Sequence, residues 1–454
     1  MKGIYLLLLL LMQACTSSAQ TFDGVWKGSL DIQGQQLPLV FELIKTGDKW
    51  EGFMQSPAQS NAKFPISTVS IKGDSIAIRV NAIGLAYNGV RKSNIIDGHF
   101  KQGAFEAEMK LHKAEDKESN KVLVRTQEVL PPYDYDTIDV KIKNSYDNIE
   151  LAGTLTYPSK KGKYPAVLLL TGSGPQNRDE ELFGHKPFKV LADYLTRHGI
   201  VVLRVDDRGV GQSTGDFSNS TIENFSKDAI SAFDYLKKLP QVDKAKVGII
   251  GHSEGGLIAE LLAGQHLPDL AFIVSLAGPS FSIDQLMVEQ LYAVGKASGM
   301  TEQDLIKART INTRNFAIVK SDLNTQDAYQ QLLQNMSMAN IGNSNKQMER
   351  ELLTMLAPAY RYFMRIEPER YIAQIKVPVF AAFGTLDVQV PSTQNLKSLY
   401  NLLPKNSKTV LKEYKGLNHL FQKATTGQVS EYMDIQETMN PQVMTDVAEW
   451  INGL

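Results

Sequence analysis

The chain has 454 residues and a formal net charge of −1, and 43% of its residues are hydrophobic. This length allows one large core or two to three domains, and the composition is that of an ordinary globular protein. Acidic residues balance lysine and arginine along the chain, which excludes the polybasic surface typical of nucleic-acid binding.

The N-terminal segment MKGIYLLLLLLMQACTSSAQ contains one lysine, an unbroken apolar run over residues 4–12, and then small and polar residues. The run is shorter than the roughly 20 residues that span a bilayer, so it predicts a cleaved export signal over residues 1–19. No later stretch is apolar enough to cross a membrane, and no transmembrane helix is expected after processing. We therefore expect a periplasmic or secreted protein.

Two processing routes remain open at this signal. Ser17 and Ala19 supply a small-x-small pattern for release before Gln20. Alternatively, the residues that end at Cys15 resemble a degenerate lipoprotein box, in which Cys15 would carry a lipid anchor in the outer membrane. Cys15 is the only cysteine, so the processed protein has no internal disulfide, no thiol nucleophile and no cysteine-based metal site.

Residues 20–113 consist of short segments of alternating apolar and polar residues, separated by glycine, asparagine and aspartate. This pattern predicts a small antiparallel β domain, a barrel or a sandwich, with a structural or recognition role and no catalytic residues. Strands are expected over residues 25–32, 37–44, 66–71, 75–80 and 105–111. The charged and proline-containing stretch 114–135 predicts a linker.

Residues 136–454 have a different pattern. Two alternating segments, 138–142 and 151–157, predict a hairpin, and nearly continuous apolar runs with helical periods between them follow. Such runs are typical of strands that are buried on both faces of a parallel sheet covered by helices. They cover residues 165–170, 200–205, 247–250, 270–276 and 377–383. A final helix over 441–451 is expected to close this α/β sheet.

About 100 residues separate the last two apolar runs, which is far more than one crossover helix requires. Their apolar residues have helical spacing, which predicts an inserted helical cap over residues 282–375. The cap contains seven of the 14 methionines, which either fill helix cores or line an adaptable acyl or aromatic pocket. These are Met287, Met300, Met336, Met338, Met348, Met355 and Met364.

The segment KVGIIGHSEGGLIAELL contains Ser253 between two glycines, after a predicted strand and before a predicted helix. This is a G-x-S-x-G elbow, in which the serine occupies a strained turn and the glycines leave room for neighbouring backbone. A serine hydroxyl attacks a carbonyl only when a base, a group that orients the base and donors for the oxyanion are all present. Ser253 is the predicted nucleophile.

His419 remains as the base after elimination among the seven histidines. It follows the strand-like segment 409–414, in a loop at the carboxyl edge of the predicted sheet. His252 is adjacent to the nucleophile in the chain, but its side chain is expected to project away from it. Asp387 follows the run 377–383 and precedes His419, as the chain order of this elbow class requires, and would orient the imidazole.

Backbone N–H groups are expected to receive the oxyanion. One is the amide of Glu254, directly after the nucleophile. The other is the amide of Ser173, in the loop after the first central strand, where Gly172 and Gly174 permit a close approach.

The motifs TGSGPQNRDE and RVDDRGVGQSTGDF, together with GHSEGG, resemble those of α/β-hydrolases, in the exported serine esterase and serine aminopeptidase-like (S33-type) branch. The resemblance covers residues 136–454. It implies Ser253 as nucleophile, Asp387 as acid and His419 as base, in agreement with the search above.

The same resemblance implies that Asp207, Arg208 and Gly209 form a structural turn beside the site. Two features depart from the family. Thr171 and Gly172 stand where many relatives have His-Gly, and the β domain is not part of the family's core fold.

The expected function is that of an exported serine hydrolase that cleaves small carboxylic esters through an acyl-enzyme, with no cofactor. An aminopeptidase or dipeptidase, a thioesterase and an acyltransferase would use the same residues, and a surface binding protein with an inactive hydrolase domain is an alternative from another class. The glycines of segment 209–215 do not fit a dinucleotide loop, and no metal-binding motif occurs. Acyl and alcohol specificity and oligomeric state stay open.

Overall fold

The described residues form two separate β-sheets, one of nine strands and one of eight. The computed structural model describes residues 21–32, 35–47, 49–57, 60–102, 105–114, 125–338 and 346–454. The predicted signal segment, with Cys15, lies outside the described residues. Within them, no helix combines the length and the apolar character that a membrane crossing needs.

The nine-stranded sheet is antiparallel and forms the N-terminal β domain. Its first and last strands pair with each other, and the third strand lies against the fifth, so the sheet curls around its own core. The predicted antiparallel β domain is confirmed, as one curled sheet rather than two stacked ones. Its strands are β1 (Gly24–Ile32), β2 (Gln35–Thr46), β3 (Lys49–Ser56), β4 (Ser60–Pro65), β5 (Thr68–Lys72), β6 (Ser75–Val80), β7 (Leu85–Lys92), β8 (Ile95–Gln102) and β9 (Phe105–Lys113).

The eight-stranded sheet belongs to an α/β domain. Its strands are β10 (Asp136–Asn144), β11 (Ile149–Tyr157), β12 (Tyr164–Leu170), β13 (Val201–Val205), β14 (Val242–His252), β15 (Phe272–Leu276), β16 (Val379–Gly384) and β17 (Val410–Tyr414). They lie in the order β10-β11-β13-β12-β14-β15-β16-β17, and all pairs from β13 to β17 are parallel. The first two strands form the predicted antiparallel hairpin.

Eleven α-helices lie in the described part of this domain. They are α1 (Pro187–Arg197), α2 (Ile222–Leu236), α3 (Glu254–Gly264), α4 (Ile283–Ala297), α5 (Glu302–Lys320), α6 (Thr325–Met338), α7 (Lys346–Met355), α8 (Pro358–Met364), α9 (Glu369–Ile372), α10 (Ser392–Leu402) and α11 (Pro441–Asn452). The predicted mostly parallel α/β sheet is confirmed.

Burial on both faces explains the continuous apolar runs of the central strands. All five residues of β13 and the last five of β12 are buried. The apolar stripe of α1, with Phe188, Leu191 and Leu195, packs against them. Burying a side chain of this size contributes about 1.5–3 kcal/mol, so the stripe fixes the helix on the sheet.

The cap is the group of helices α4 to α9, inserted between β15 and β16, and this prediction is confirmed. Its methionines differ in environment. Met364 is fully buried, whereas Met300 and Met338 are 45% and 64% exposed. Core filling therefore accounts for Met364 but not for these two.

The end of the linker is attached to the α/β domain. The Arg125 guanidinium donates to the backbone carbonyls of Phe183, Met433 and Ile435. In the β domain, the carbonyl of Pro57 accepts a hydrogen bond from the Phe183 N–H. The β domain is thus hydrogen-bonded to the loop that leads into α1.

Four of the five predicted site residues lie just after the C-terminal ends of parallel strands. Ser173 follows β12, Ser253 follows β14, Asp387 follows β16 and His419 follows β17. Because the carboxyl ends of parallel strands share one edge, the sheet gathers these residues in one place.

Candidate active site

Ser253 lies in a strained turn between β14 and α3. Its backbone angles are φ 52° and ψ −118°, a conformation that a residue with a side chain rarely adopts. The flanking glycines permit this turn. A Cβ on Gly251 would stand 2.0 Å from the carbonyl oxygen of Gly255, and a Cβ on Gly255 would stand 2.1 Å from that of Leu170.

Asp387 and His419, the predicted acid and base, are in contact. The Nδ1 atom of His419 lies 2.8 Å from Oδ2 of Asp387, and both side chains are buried. The other carboxylate oxygen accepts the backbone N–H groups of Gln389 and Val390, each at 2.8 Å. Asp387 is therefore fixed as an acceptor for the Nδ1–H tautomer, which leaves Nε2 of His419 free to act as a base.

Asn418 holds the loop that carries the histidine. Its side-chain oxygen accepts the N–H groups of Leu420 at 3.1 Å and Gln422 at 2.9 Å. Its amide group donates to the side-chain oxygen of Gln422 at 3.0 Å. Asn418 and Gln422 are fully buried, so this loop has little freedom to move His419 away from Asp387.

The loop after β12 approaches the nucleophile closely. A Cβ on Gly172 would stand 3.2 Å from the Cβ of Ser253. The N–H of Gly172 donates to Glu180 at 2.7 Å, so it is not free for an oxyanion. The N–H groups of Ser173 and Glu254 have no acceptor among the described residues, as the two predicted donors require. Their role stays a prediction.

Two carboxyl groups lie under this loop. Asp207 accepts the Thr171 hydroxyl at 2.8 Å and the Gln176 N–H at 2.9 Å. Burial raises the pKa of Asp207 to about 8 and that of Glu254 to about 7. Both residues line a small cavity of about 40 Å³. The turn after β13 therefore supports the loop that carries Ser173 directly.

The glycine-rich segment 209–215 encloses a carboxylate of the protein itself. The Gln212 N–H donates to Oδ2 of Asp206 at 3.1 Å, and a Cβ on Gly211 would stand 2.5 Å from that atom. Asp206 also forms an ion pair with Arg178. The space that a phosphate group would need is thus occupied by the Asp206 side chain.

Arg208 secures the same turn. Its buried guanidinium donates to both carboxylate oxygens of Asp228, at 2.7 and 2.9 Å, and to Asp147 at 2.8 Å. It therefore joins the turn to α2 and to the hairpin of β10 and β11.

His252 had no predicted role, but the structure places its ring beside the predicted base. The ring lies against the ring of His419, with 4.7 Å between the centroids. Its Nε2 atom is 2.9 Å from the His419 carbonyl oxygen, and its Nδ1 atom is 2.8 Å from Glu180. Sequence reasoning missed Glu180, which lies in an irregular loop with no periodic pattern.

Among the residues that the structure describes, no group of histidine, cysteine and acidic side chains is arranged to hold a metal ion.

The sheet order, the strained serine and the buried acid–histidine pair define a serine hydrolase with the α/β-hydrolase fold. Relatives that are named as esterases make it carboxylesterase-like. The sequence model of the X-Pro dipeptidyl-peptidase (S15) family matches residues 147–419, so the chain belongs to this family. The α/β-hydrolase resemblance is thereby confirmed.

Individual relatives differ in their activities. Esterase EstD of Thermotoga maritima is 24% identical over 341 residues, which cover 74% of this chain and 72% of the relative. Dipeptidyl-peptidase 5 of Porphyromonas gingivalis is 31% identical over 127 residues, or 26% of this chain and 17% of the relative. The solved esterase PF2001 of Pyrococcus furiosus is 15% identical, with a TM-score of 0.43 over 74% of this chain and 98% of that one.

Proposed function

We propose that the protein hydrolyses carboxylic esters of small molecules through a Ser-His-Asp triad and an acyl-enzyme. Ser253 attacks the ester carbonyl while His419 takes its proton and returns it to the leaving alcohol. Asp387 orients His419 and stabilises its charged form. Water then attacks the acyl-enzyme, with His419 again as the base.

The hydrogen bond between His419 and Asp387 carries this proposal. It is buried, it has an N···O distance of 2.8 Å, and its partners come from the loops after two neighbouring parallel strands. A buried pair of this kind is costly unless its geometry is well satisfied, and here both Asp387 oxygens have donors. The amides of Glu254 and Ser173 would receive the oxyanion, and no cofactor takes part.

The ester assignment rests on the relative that covers most of this chain, which is named as an esterase. The family description and the dipeptidyl-peptidase relative favour a second candidate, cleavage of peptides by the same triad. In that case the leaving group would be an amine, which His419 would protonate. A thioesterase and an acyltransferase remain further alternatives with the same residues.

A panel of p-nitrophenyl esters, X-Pro and aminoacyl anilides and acyl thioesters tests these alternatives. We expect the wild type to hydrolyse esters with the highest kcat/KM and the Ser253→Ala variant to hydrolyse none of them above background. Higher kcat/KM on the anilides would replace the ester assignment by a peptidase.

A binding protein with an inactive hydrolase domain is the alternative from another class. A concave surface on the β domain, which Ser70, Lys72, Asn88, His99 and Lys110 help to line, is the feature that would serve it. A fluorophosphonate probe separates the two classes. We expect it to label the wild type but not Ser253→Ala, whereas an unlabelled wild type would favour the binding protein.

The proposal includes export, on the strength of the N-terminal apolar run. The protein would then be periplasmic or secreted, or a lipoprotein anchored through Cys15. Labelling cells with palmitate, for the wild type and for Cys15→Ser, distinguishes these fates. Label that depends on Cys15 supports the lipid anchor, and equal label in both chains removes it.

A further inference from the structure

A second carboxylate and imidazole lie behind the predicted triad. The side chains are those of Glu180 and His252, which are 3% and 5% exposed. Oε1 of Glu180 lies 2.8 Å from Nδ1 of His252. This pair takes no part in the proton transfer assigned to Ser253, His419 and Asp387, so its burial needs another explanation.

The pair connects three loops of the site. Glu180 accepts the N–H of Gly172, which belongs to the predicted oxyanion loop. His252 directly precedes Ser253 and therefore belongs to the elbow. Its Nε2 atom lies 2.9 Å from the backbone carbonyl oxygen of His419, in the loop of the base. One buried chain of hydrogen bonds thus runs from the oxyanion loop through the elbow to the histidine loop.

The acceptors on both sides of His252 set its protonation. Nε2 faces a backbone carbonyl, which can only accept a hydrogen bond, and Nδ1 faces a carboxylate oxygen that already accepts the Gly172 N–H. Nε2 therefore carries a proton, and with Glu180 ionised Nδ1 carries one as well, which makes His252 an imidazolium paired with the Glu180 carboxylate.

The charged groups around the ring are consistent with this state. Burial acts to lower the pKa of His252, but the charge and hydrogen bond of Glu180, the His419 carbonyl and the more distant charge of Asp387 outweigh it and raise the pKa. The ring of His419 also lies against the His252 ring, and Phe421 packs near a further side of it.

The backbone of Glu180 is held in an unfavourable conformation. Its φ is 52°, in the left-handed region that residues other than glycine, asparagine and aspartate seldom adopt. Its N–H is held by the Asn177 carbonyl at 2.9 Å. The loop therefore adopts an unfavourable conformation that brings the carboxylate to both the Gly172 amide and His252.

We propose that Glu180 and His252 act as a positioning pair that fixes the oxyanion loop, the nucleophile elbow and the His419 loop relative to one another. Because Gly172 is held by Glu180, the next amide, Ser173, is left to receive the oxyanion. Because His252 holds the His419 carbonyl, the base cannot shift without breaking a buried charge-assisted hydrogen bond. This inference rests on the proposed triad and adds residues that act through it.

Kinetics of Glu180→Gln, His252→Gln and the double variant test the pair. Misplacing reacting groups by about 1 Å, or losing an oxyanion donor, lowers kcat by about 10²-fold. We expect each single variant to lose about 10²-fold in kcat with KM changed by less than about threefold, since ground-state binding is not involved. Because the residues act as one unit, the double variant should lose no more than the worse single variant.

The matched control is Glu260→Gln. Glu260 is also a buried glutamate whose side chain accepts two hydrogen bonds, but its donors are the hydroxyl groups of Ser275 and Ser280. We expect its kcat to stay within about twofold of the wild type. Circular dichroism at the assay temperature identifies any variant that has unfolded. Full kcat in folded Glu180→Gln or His252→Gln, or losses that multiply in the double variant, would overturn the inference.

Nitrogen-15 NMR of the histidine rings at pH 7.5 provides a test that does not depend on turnover. We expect one ring with both nitrogens protonated, whose signal disappears in His252→Gln and which titrates at lower pH in Glu180→Gln. A neutral His252 ring would also overturn the inference. Failure of the triad itself is distinguishable, because Ser253→Ala would then keep its activity.

Discussion

Gly255 of the elbow helix packs directly on the carbonyl oxygen of Leu170, the last residue of β12. A Cβ on Gly255 would stand 2.1 Å from that oxygen, where no atom fits. The nucleophile turn and the oxyanion loop are therefore in backbone contact, so their distance is set by the absence of a side chain. In the proposed mechanism, the geometry of the reacting groups depends on this contact as well as on the three polar side chains.

Gly255→Ala should consequently lower both stability and activity. Overpacking at a rigid backbone contact costs about 1–3 kcal/mol, and we expect the upper end of this range because backbone atoms, not a flexible side chain, must move. Urea denaturation and ester hydrolysis measure the two effects. Gly453→Ala is the control, since a Cβ there meets its nearest atom at 3.4 Å. Equal stability of the two variants would refute the argument.

Asp387→Asn tests the orienting acid. Asparagine keeps the shape but presents no carboxylate to Nδ1 of His419, so the imidazole loses the productive tautomer and the stabilisation of its charge. A change of this kind lowers kcat by about 10⁴-fold. Asp446→Asn is a suitable control, because Asp446 forms an ion pair with Lys412 on β17 and does not contact His419. If Asp387→Asn retained more than a tenth of the wild-type kcat, Asp387 would not be the acid.

The raised pKa of Glu260 should make the stability of the protein depend on pH. Burial raises its pKa from 4.5 to about 8, against the opposing hydrogen bonds from Ser275 and Ser280. Between these values the folded state binds more protons than the unfolded state, so the free energy of unfolding falls as pH rises. The slope from this group is at most about 1.4 kcal/mol per pH unit.

Glu260→Gln removes this contribution. The stability of the variant relative to the wild type should therefore increase from pH 5 to pH 8, as urea denaturation at several pH values would show. Parallel stability curves for the two proteins across this range would mean that Glu260 does not carry the shifted pKa.

Arg208→Lys tests the turn after β13. Arg208 donates five hydrogen bonds, two to Asp228 and one each to Asp147, the Ser220 hydroxyl and the Asn224 carbonyl. Lysine has only three donors, all on one nitrogen, so Arg208→Lys leaves buried acceptors incompletely paired. We expect a loss of about 3 kcal/mol in the free energy of unfolding. The control is Arg370→Lys. Arg370 forms an ion pair with Glu367, and its side chain is 77% exposed, so this variant should lose less than about 1 kcal/mol in the free energy of unfolding. Similar losses in both variants would contradict a structural role for Arg208.

The sequence was informative where one physical signal dominated. Strands of the parallel sheet are buried on both faces, so each was visible as an apolar run, and the elbow glycines have a fixed spacing.

The strands of the β domain were harder to predict from the sequence. Strand β7 contains Asn88 and Gly89, a pair typical of turns, yet it continues through them. Gly89 pairs with Gly98 on β8. A Cβ on Gly98 would stand 2.3 Å from the ring of Tyr87, so glycine is needed at that position for packing and not for a turn.

Partners distant in sequence explain what the site analysis missed. Glu180 and His252 are 72 residues apart, and His252 and the carbonyl of His419 are 167 apart. No local pattern encodes either contact, because both depend on loops that meet only after the sheet has formed. Elimination among the histidines selected His419 but could not show that His252 lies against it.

The most direct test of the account is to find where an acyl group is attached. The protein is mixed briefly with p-nitrophenyl acetate, quenched in acid, digested and examined by tandem mass spectrometry. We predict one acetyl group on Ser253 in the wild type, a larger accumulated fraction when deacylation is slowed at low pH, and no acetylation in Ser253→Ala. Acetylation at another residue, or turnover with Ser253 replaced, would contradict the central claim that this serine is the nucleophile.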